Sequence, residues 1–457
     1  MSSDNREALP ESGATPRRPR RWGRVLAAFL ALVVIGAGVF AVIAWRPALP
    51  EVATPSRASF SPDVIARGAR LASAGFCASC HTIAGGKPFG GGYAMKTGFG
   101  TIYSTNISPD RETGIGSWSE DAFRRAMREG VARDGSHLFP AFPYDHFTKL
   151  SDADVHALYA FIMTRDAVNV PAHPNDMPFP FGFRPLQAGW KVLFFREGRF
   201  VPTNEKSVEW NRGAYIAESL SHCAACHTPR GPLGEELHNK LYQGASVDGW
   251  FAPALTAANP SPMPWTSDEL FGYLTTGLSR YHGTAAGPMA SVSQELANLE
   301  PADQHALVTY VESLGDGDHR AAQGTSAVTP AVAVALAADA HDRMAVSDVG
   351  GRMFIAACAS CHYNRAPDVN PMRPELGLNT AVFLDNPSNL IHVMLFGISA
   401  KDGAPGVVMP GFARGFSDED VVRIASYLRA TRTHKAPWPD LARQVAQIRA
   451  AGAGESR

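Results

Sequence analysis

The chain has 457 residues, of which 45% are hydrophobic and 19% charged, and its formal net charge is −1. This composition excludes a largely disordered protein, and the charge balance lacks the basic excess expected of nucleic-acid binding. The length suits several domains rather than one.

Residues 1–24 are polar, with six arginines against Asp4, Glu7 and Glu11, a local balance of +3. An uncharged apolar run follows, Val25–Trp45, whose 21 residues would span about 32 Å as a helix, enough for a hydrocarbon core of about 30 Å. A buried core helix rarely stays apolar on every face, and the apolar part of a cleaved signal is usually shorter. The run therefore reads as a retained transmembrane anchor, with a cleaved signal as the alternative. Arg17, Arg18, Arg20, Arg21 and Arg24 precede it, against Arg46 and Arg57 after it. The positive-inside rule then leaves 1–24 as a cytoplasmic tail and sends 46–457 to the periplasm, beginning with a linker at 46–60.

Past the linker one pattern occurs three times. Arg67-Gly68-Ala69, Arg212-Gly213-Ala214 and Gly350-Gly351-Arg352 each open an apolar helix start. Each soon reaches Cys-x-x-Cys-His: Cys77, Cys80 and His81; Cys223, Cys226 and His227; Cys358, Cys361 and His362. Each copy closes on an amphipathic helix, with apolar residues at i, i+3, i+4 and i+7. These are Val155, Leu158, Tyr159 and Ile162; Leu307, Tyr310, Val311 and Leu314; and Val421, Ile424, Ala425 and Leu428. Ser151 with Asp154 and Ser417 with Asp420 resemble capping boxes. No convincing alternating run suggests a strand. The expected fold is all-α, in three small domains at 61–165, 208–318 and 344–435. Between them lie a proline-rich and aromatic connector at 166–207 and an Ala-rich linker at 319–343. A tail at 436–457 has the spacing of a short helix through Leu441, Val445 and Ile448. Trp190, Phe194 and Phe195 in the connector suit interdomain packing, with a docking surface as the alternative.

Cys-x-x-Cys-His is the attachment signature of c-type haem. Its thiols add to the two vinyl groups, and the histidine is the proximal iron ligand. Structural zinc needs four ligands per site, and each set supplies three. Three covalently bound haems would consume all six cysteines. A backbone carbonyl in the proline-bearing loop after each histidine, near Pro88, Pro229 or Pro232, and Pro367, is expected to accept its Nδ1 proton.

Small cytochromes c of class I supply a methionine late in the domain as sixth ligand. Met409, 47 residues after His362, and Met289, 62 after His227, are the candidates. In the first copy Phe142 stands 61 residues after His81, and phenylalanine cannot ligate iron. His146 is the preferred substitute there, with His137, Met127, Met95 or an open position as alternatives.

With these residues in view, the chain resembles the three-haem cytochrome c subunits of bacterial membrane-associated dehydrogenases, across roughly residues 60–435. The run from Phe99-Gly100-Thr101-Ile102-Tyr103 to Asn106-Ile107-Ser108-Pro109-Asp110 is specific to that family, as is Trp210-Asn211-Arg212-Gly213. The loop Pro140-Ala141-Phe142-Pro143-Tyr144-Asp145-His146, with Gly189-Trp190-Lys191 and Phe194-Phe195-Arg196, is closer to cytochromes paired with molybdenum hydroxylases such as nicotinate dehydrogenase. The resemblance implies three tandem class I cytochrome c domains behind the anchor, with no substrate site in this subunit. It also implies a dehydrogenase partner, by preference a molybdenum hydroxylase with its iron–sulfur subunit, and electron delivery to ubiquinone or a terminal oxidase. The competing readings are a peroxidase-like multihaem enzyme with an open first haem and a cytochrome subunit of a terminal oxidase.

Overall fold

The computed structural model describes residues 21–315, 331–340, 347–364, 369–399 and 406–455. The tail at 1–20, Pro330 and Pro367 lie outside them. Two units are distinct, divided between Arg46 and Pro47. The first contains one long helix, α1 (Arg21–Ala44), whose apolar stretch Trp22–Ala44 has a mean hydropathy of 2.8 and no burial. Trp22 at its start and Trp45 just past its end are both exposed, matching the aromatic residues that favour membrane–water boundaries.

The second unit runs from Pro47 onward. Its first segment contains α2 (Pro62–Ala74), α3 (Cys77–His81), a hairpin of β1 (Ala94–Thr97) and β2 (Gly100–Tyr103), α4 (Glu120–Glu129), α5 (Tyr144–Phe147) and α6 (Asp152–Met163). The connector carries α7 (Leu186–Phe194). The second segment follows the same order with α8 (Val208–Tyr215), α9 (Cys223–His227), β3 (Ala245–Val247) and β4 (Trp250–Ala252). It continues through α10 (Ser267–Thr276), the short pair β5 (Leu278–Ser279) and β6 (Gly283–Thr284), α11 (Pro288–Leu296) and α12 (Pro301–Leu314). Next come α13 (Ala331–Ala340), α14 (Val349–Ala357), α15 (Ala359–His362), α16 (Thr380–Phe383), α17 (Ser388–Phe396), α18 (Asp418–Leu428) and α19 (Leu441–Glu455).

The repeated glycine has a steric cause. In each segment the opening helix crosses the closing one: α2 on α6, α8 on α12, α14 on α18. A Cβ on Gly68 would lie 1.9 Å from the Ala157 carbonyl oxygen, one on Gly213 1.9 Å from that of Ala306, and one on Gly350 2.3 Å from that of Arg423. Any side chain there would force the helices apart. The adjacent arginines of the first two copies reach the partner helix: Arg67 Nη2 donates to Asp154 at 2.6 Å, and Arg212 Nη2 to Asp303 at 2.7 Å.

The capping expectations divide. Ser417 and Asp420 cap each other reciprocally. Ser151 does accept from the Asp154 N–H, but the Asp154 carboxylate turns to Arg67 and to the Tyr215 hydroxyl at 2.5 Å. Asp154 is thus a cross-link between α2, α6 and α8, since a buried carboxylate is better served by a cation and a hydroxyl than by one backbone amide.

The strands are short antiparallel hairpins, with Ala94 opposite Tyr103, Ala245 opposite Ala252 and Leu278 opposite Thr284. One apolar core extends from Leu71 to Val311, so the first two segments share it. A second core gathers Phe354, Val421, Ile424 and Leu428 with Trp438, Leu441 and Val445 from the tail. The tail helix is therefore part of the fold. The stretch expected to be linker contains α13, pinned by Arg432 Nη2 on Asp339 at 3.1 Å, both nearly sealed from solvent.

Candidate haem-binding sites

Each Cys-x-x-Cys-His motif lies on a single short helical turn, which puts both thiols and the imidazole on one side. The three histidines share one second contact. His81 Nδ1 donates to the Thr105 carbonyl at 2.6 Å, His227 Nδ1 to Pro253 at 2.6 Å, and His362 Nδ1 to Pro374 at 3.0 Å. A carbonyl can only accept, so Nδ1 carries the proton and Nε2 keeps its lone pair for a metal. Burial lowers the pKa of all three imidazoles, which keeps them neutral as ligands.

The acceptor carbonyls lie further along the chain than the proline-bearing loops named from sequence, at Thr105, Pro253 and Pro374. Pro88, Pro229 and Pro232 do not receive these protons. In the first two segments the acceptor follows the return strand of a hairpin, Thr105 after β2 and Pro253 after β4. The same excursion returns Gly91 N–H to the His81 carbonyl at 2.8 Å and Gly244 N–H to that of His227 at 2.7 Å.

No two of the six cysteines are bonded to each other. Burial pushes the thiols of Cys77 and Cys223 up to about 12, and those of Cys80, Cys226 and Cys358 up to about 11. Such thiols are poor thiolates at neutral pH, which disfavours a dithiol redox pair.

The second and third motifs face one cavity of about 660 Å³. Cys223, Cys226, His227 and Met289 line it from one segment, and Cys358, Cys361, His362 and Met409 from the next. Leu270, Leu274, Val292, Leu307, Phe354, Leu390 and Met394 make most of the remaining wall apolar. Paired thiols, a neutral imidazole with a free Nε2 and a thioether around an apolar space fit covalent haem with His/Met ligation. Met409 is held by a two-way backbone bridge to Ile398 at 2.9 Å. Met289 sits in the first turn of α11, after Gly287, whose added Cβ would lie 2.4 Å from the Trp250 ring.

The first motif does not line that cavity. Phe76 and His222, the residues just before Cys77 and Cys223, both take left-handed backbone (φ 54° and 36°) and meet edge-on at 5.5 Å. The first two motifs thus approach back to back. His222, passed over in the sequence, is half-buried, with its pKa lowered to about 4 by desolvation and then by the neighbouring charge of His146.

His146 has both ring nitrogens engaged. Nδ1 is 2.9 Å from the Glu218 carbonyl, and Nε2 is 2.8 Å from Glu236 Oε1. Arg230 lies 3.5 Å from the same carboxylate oxygen. Burial opposes a charged His146, but Glu236 and Asp145 outweigh it and raise its pKa. Iron ligation by His146 through Nε2 would require only the Glu236 contact to break, since the Nδ1 contact to a carbonyl is the one the three proximal histidines also make. Phe142 packs against the shared core and Phe147, Met127 is buried in that core, Met95 is half-buried on β1, and His137 Nδ1 meets Lys191 Nζ at 3.0 Å.

Comparison with known proteins decides the family. The cytochrome c family model matches residues 65–166. The fructose dehydrogenase cytochrome subunit of Gluconobacter japonicus is 35% identical over 415 residues, covering 87% of this chain and 85% of its own. The chain belongs to the cytochrome c subunits of bacterial dehydrogenases. The gluconate 2-dehydrogenase cytochrome c subunit of Pantoea cypripedii is 34% identical to this cytochrome subunit, over 84% of it and 89% of the relative. A nicotinate dehydrogenase subunit of Pseudomonas putida is 46% identical over 409 residues, 89% of this chain. This cytochrome subunit spans only 33% of that relative's length. The match fits the nicotinate dehydrogenase branch of the family, and these relatives do not favour a peroxidase-like enzyme.

Proposed function

We propose that this chain is an electron-transfer subunit built of three tandem cytochrome c domains, at 61–165, 208–318 and 344–435, each holding one covalent haem. Cys77 and Cys80, Cys223 and Cys226, and Cys358 and Cys361 are the attachment points, with His81, His227 and His362 as proximal ligands. Met289 and Met409 are the sixth ligands of the second and third sites. When bound, haem supplies reversible one-electron chemistry at its iron. The protein's part is to orient each imidazole through its Nδ1 carbonyl contact, to bring a thioether to the opposite side, and to exclude water with apolar walls. The observation that carries this reading is the threefold recurrence of that histidine-to-carbonyl contact on a Cys-x-x-Cys-His turn.

The 46% identity to a nicotinate dehydrogenase subunit supports a molybdenum hydroxylase with its iron–sulfur subunit as electron donor. Ubiquinone or a terminal oxidase is the acceptor in this reading. The helix α1 is a retained anchor with residues 1–24 cytoplasmic, and the haem domains face the periplasm.

Haem counting tests the core of the proposal. The purified chain should carry three haems per polypeptide by alkaline pyridine absorbance, and Cys358→Ala with Cys361→Ala should carry two. A wild-type count of one or two would refute the three-domain assignment.

A further inference from the structure

We propose that the connector carrying α7 lies in the interfacial layer of the membrane and holds the second unit against the lipid surface. The inference rests on reading α1 as a retained anchor.

Helix α7 is amphipathic in the reverse sense. Leu186, Trp190 and Leu193 recur at i, i+4 and i+7, which places them on one side of α7, with Phe179 and Phe183 in the turns just before it. Trp190 is half-buried, its Nε1 donating to the Leu233 carbonyl at 3.0 Å, but the residues around it look outward: Leu193 is 61% exposed, and upstream Phe183 is 52% and Phe179 90% exposed. The opposite face is the one that docks. Ala188 is buried, and Lys191 turns inward, its Nζ donating to the Glu129 and Gly130 carbonyls at 2.5 and 2.7 Å. A surface helix in water normally buries its apolar face and exposes its lysines. Contiguous exposed apolar surface of this kind marks a site of interaction.

The tether says which surface covers it. The loop at 129–137 that receives Lys191 also receives Arg184, whose Nη1 meets Ser136 Oγ at 3.3 Å. The same loop holds the chain leaving the apolar run. The Arg133 carbonyl accepts from Leu49 N–H at 2.8 Å, and Arg125 on α4, whose Nη2 donates to the loop carbonyl of Ala132 at 2.5 Å, donates from Nη1 to the Pro47 carbonyl at 2.7 Å. From Trp45 to Leu49 an extended chain reaches at most about 14 Å. One loop therefore grips both the residues that have just left the bilayer and the helix with the exposed apolar face. Phenylalanine and tryptophan beside Arg184 and exposed Arg196 are the side chains that settle at the headgroup boundary.

The test uses single thiols. With the native cysteines consumed by haem, Phe179→Cys and Leu193→Cys each offer one site for a nitroxide label, and Ala446→Cys on α19 serves as control. Full-length protein is reconstituted into vesicles of phosphatidylethanolamine and phosphatidylglycerol, and each label's exposure to oxygen and to an aqueous nickel chelate is measured. Labels at 179 and 193 are expected to be several-fold less accessible to the chelate than the label at 446, and more accessible to oxygen. Chain that floats with the vesicles while those labels stay fully chelate-accessible overturns the proposal and leaves the anchor reading intact. Shielding that arises only on adding the dehydrogenase assigns the surface to that protein, and also overturns it. Chain that does not float removes the anchor reading and the proposal with it. Exposed Phe179 makes its replacement structurally mild, and an unchanged haem spectrum in the labelled protein verifies folding.

Discussion

Removing the His146 side chain tests what joins the first two segments. The His146–Glu236 contact is 2.8 Å long, between side chains only 7% and 4% exposed. In His146→Ala the Glu236 carboxylate stays buried, with Arg230 at 3.5 Å as its remaining cation. Breaking a buried pair from one side costs about 3–5 kcal/mol. At roughly 2–4 °C per kcal/mol for a unit of this size, the melting temperature should fall by about 6–20 °C. Glu236→Gln keeps an acceptor for the imidazole and should cost less, about 1–3 kcal/mol. Circular dichroism melts of the haem-loaded protein read both. The pH dependence has a definite sign. The stabilisation from His146, whose pKa is raised, is present below its ordinary 6.5 and lost as pH rises through the raised value. That from Glu236, whose pKa is lowered, is present above its ordinary 4.5 and lost as pH falls through the lowered value. The gap between wild type and His146→Ala should therefore be widest between these ordinary values and narrow on either side. A melting temperature unchanged by both substitutions would refute the clamp. So would a haem spectrum altered by His146→Ala and not by Glu236→Gln, the outcome expected if His146 is the sixth ligand of the first site.

Met289→Ala and Met409→Ala should each open one sixth position, so that the reduced protein binds one carbon monoxide per chain and one haem potential falls. Carbon monoxide binding no greater than in wild type would exclude that methionine as a ligand. Gly287→Ala places a Cβ at positive φ, 2.4 Å from the Trp250 ring. It should cost about 1–3 kcal/mol in thermal melts and disturb the Met289 ligation spectrum. Arg432→Ala leaves Asp339 buried with its cation removed, and the third segment should lose about 3–5 kcal/mol in denaturant titration. An unchanged midpoint would show that α13 is held by other contacts.

Much of the plan was legible because its determinants are local. Cys-x-x-Cys-His needs only five consecutive residues, and the closing helices declare themselves by apolar spacing. The repeated glycine was visible, although its reason, a carbonyl of another helix at contact distance, was not. Long-range partners had no signal. His146 was assigned to the first iron from its loop alone, and its Nε2 contact to Glu236, 90 residues later in another segment, had no signal in the sequence. The carbonyl acceptors could not be assigned, since every residue carries a carbonyl and only the path of the chain after each histidine, a hairpin in the first two segments, selects Thr105, Pro253 and Pro374. Asp154 was read as a helix cap because Ser151 is three residues away, whereas Tyr215 is 61 away. The segment containing α13 looked like linker because alanine-rich composition does not show that Ala335 packs with Met263 and Leu378.

The cavity common to the second and third motifs bears on how the chain matures. Residues of both motifs line one apolar space, so a group bound at either would border the other. A half-loaded chain would leave Leu270, Phe354, Leu390 and Met394 facing water, an apolar opening that invites aggregation and proteolysis.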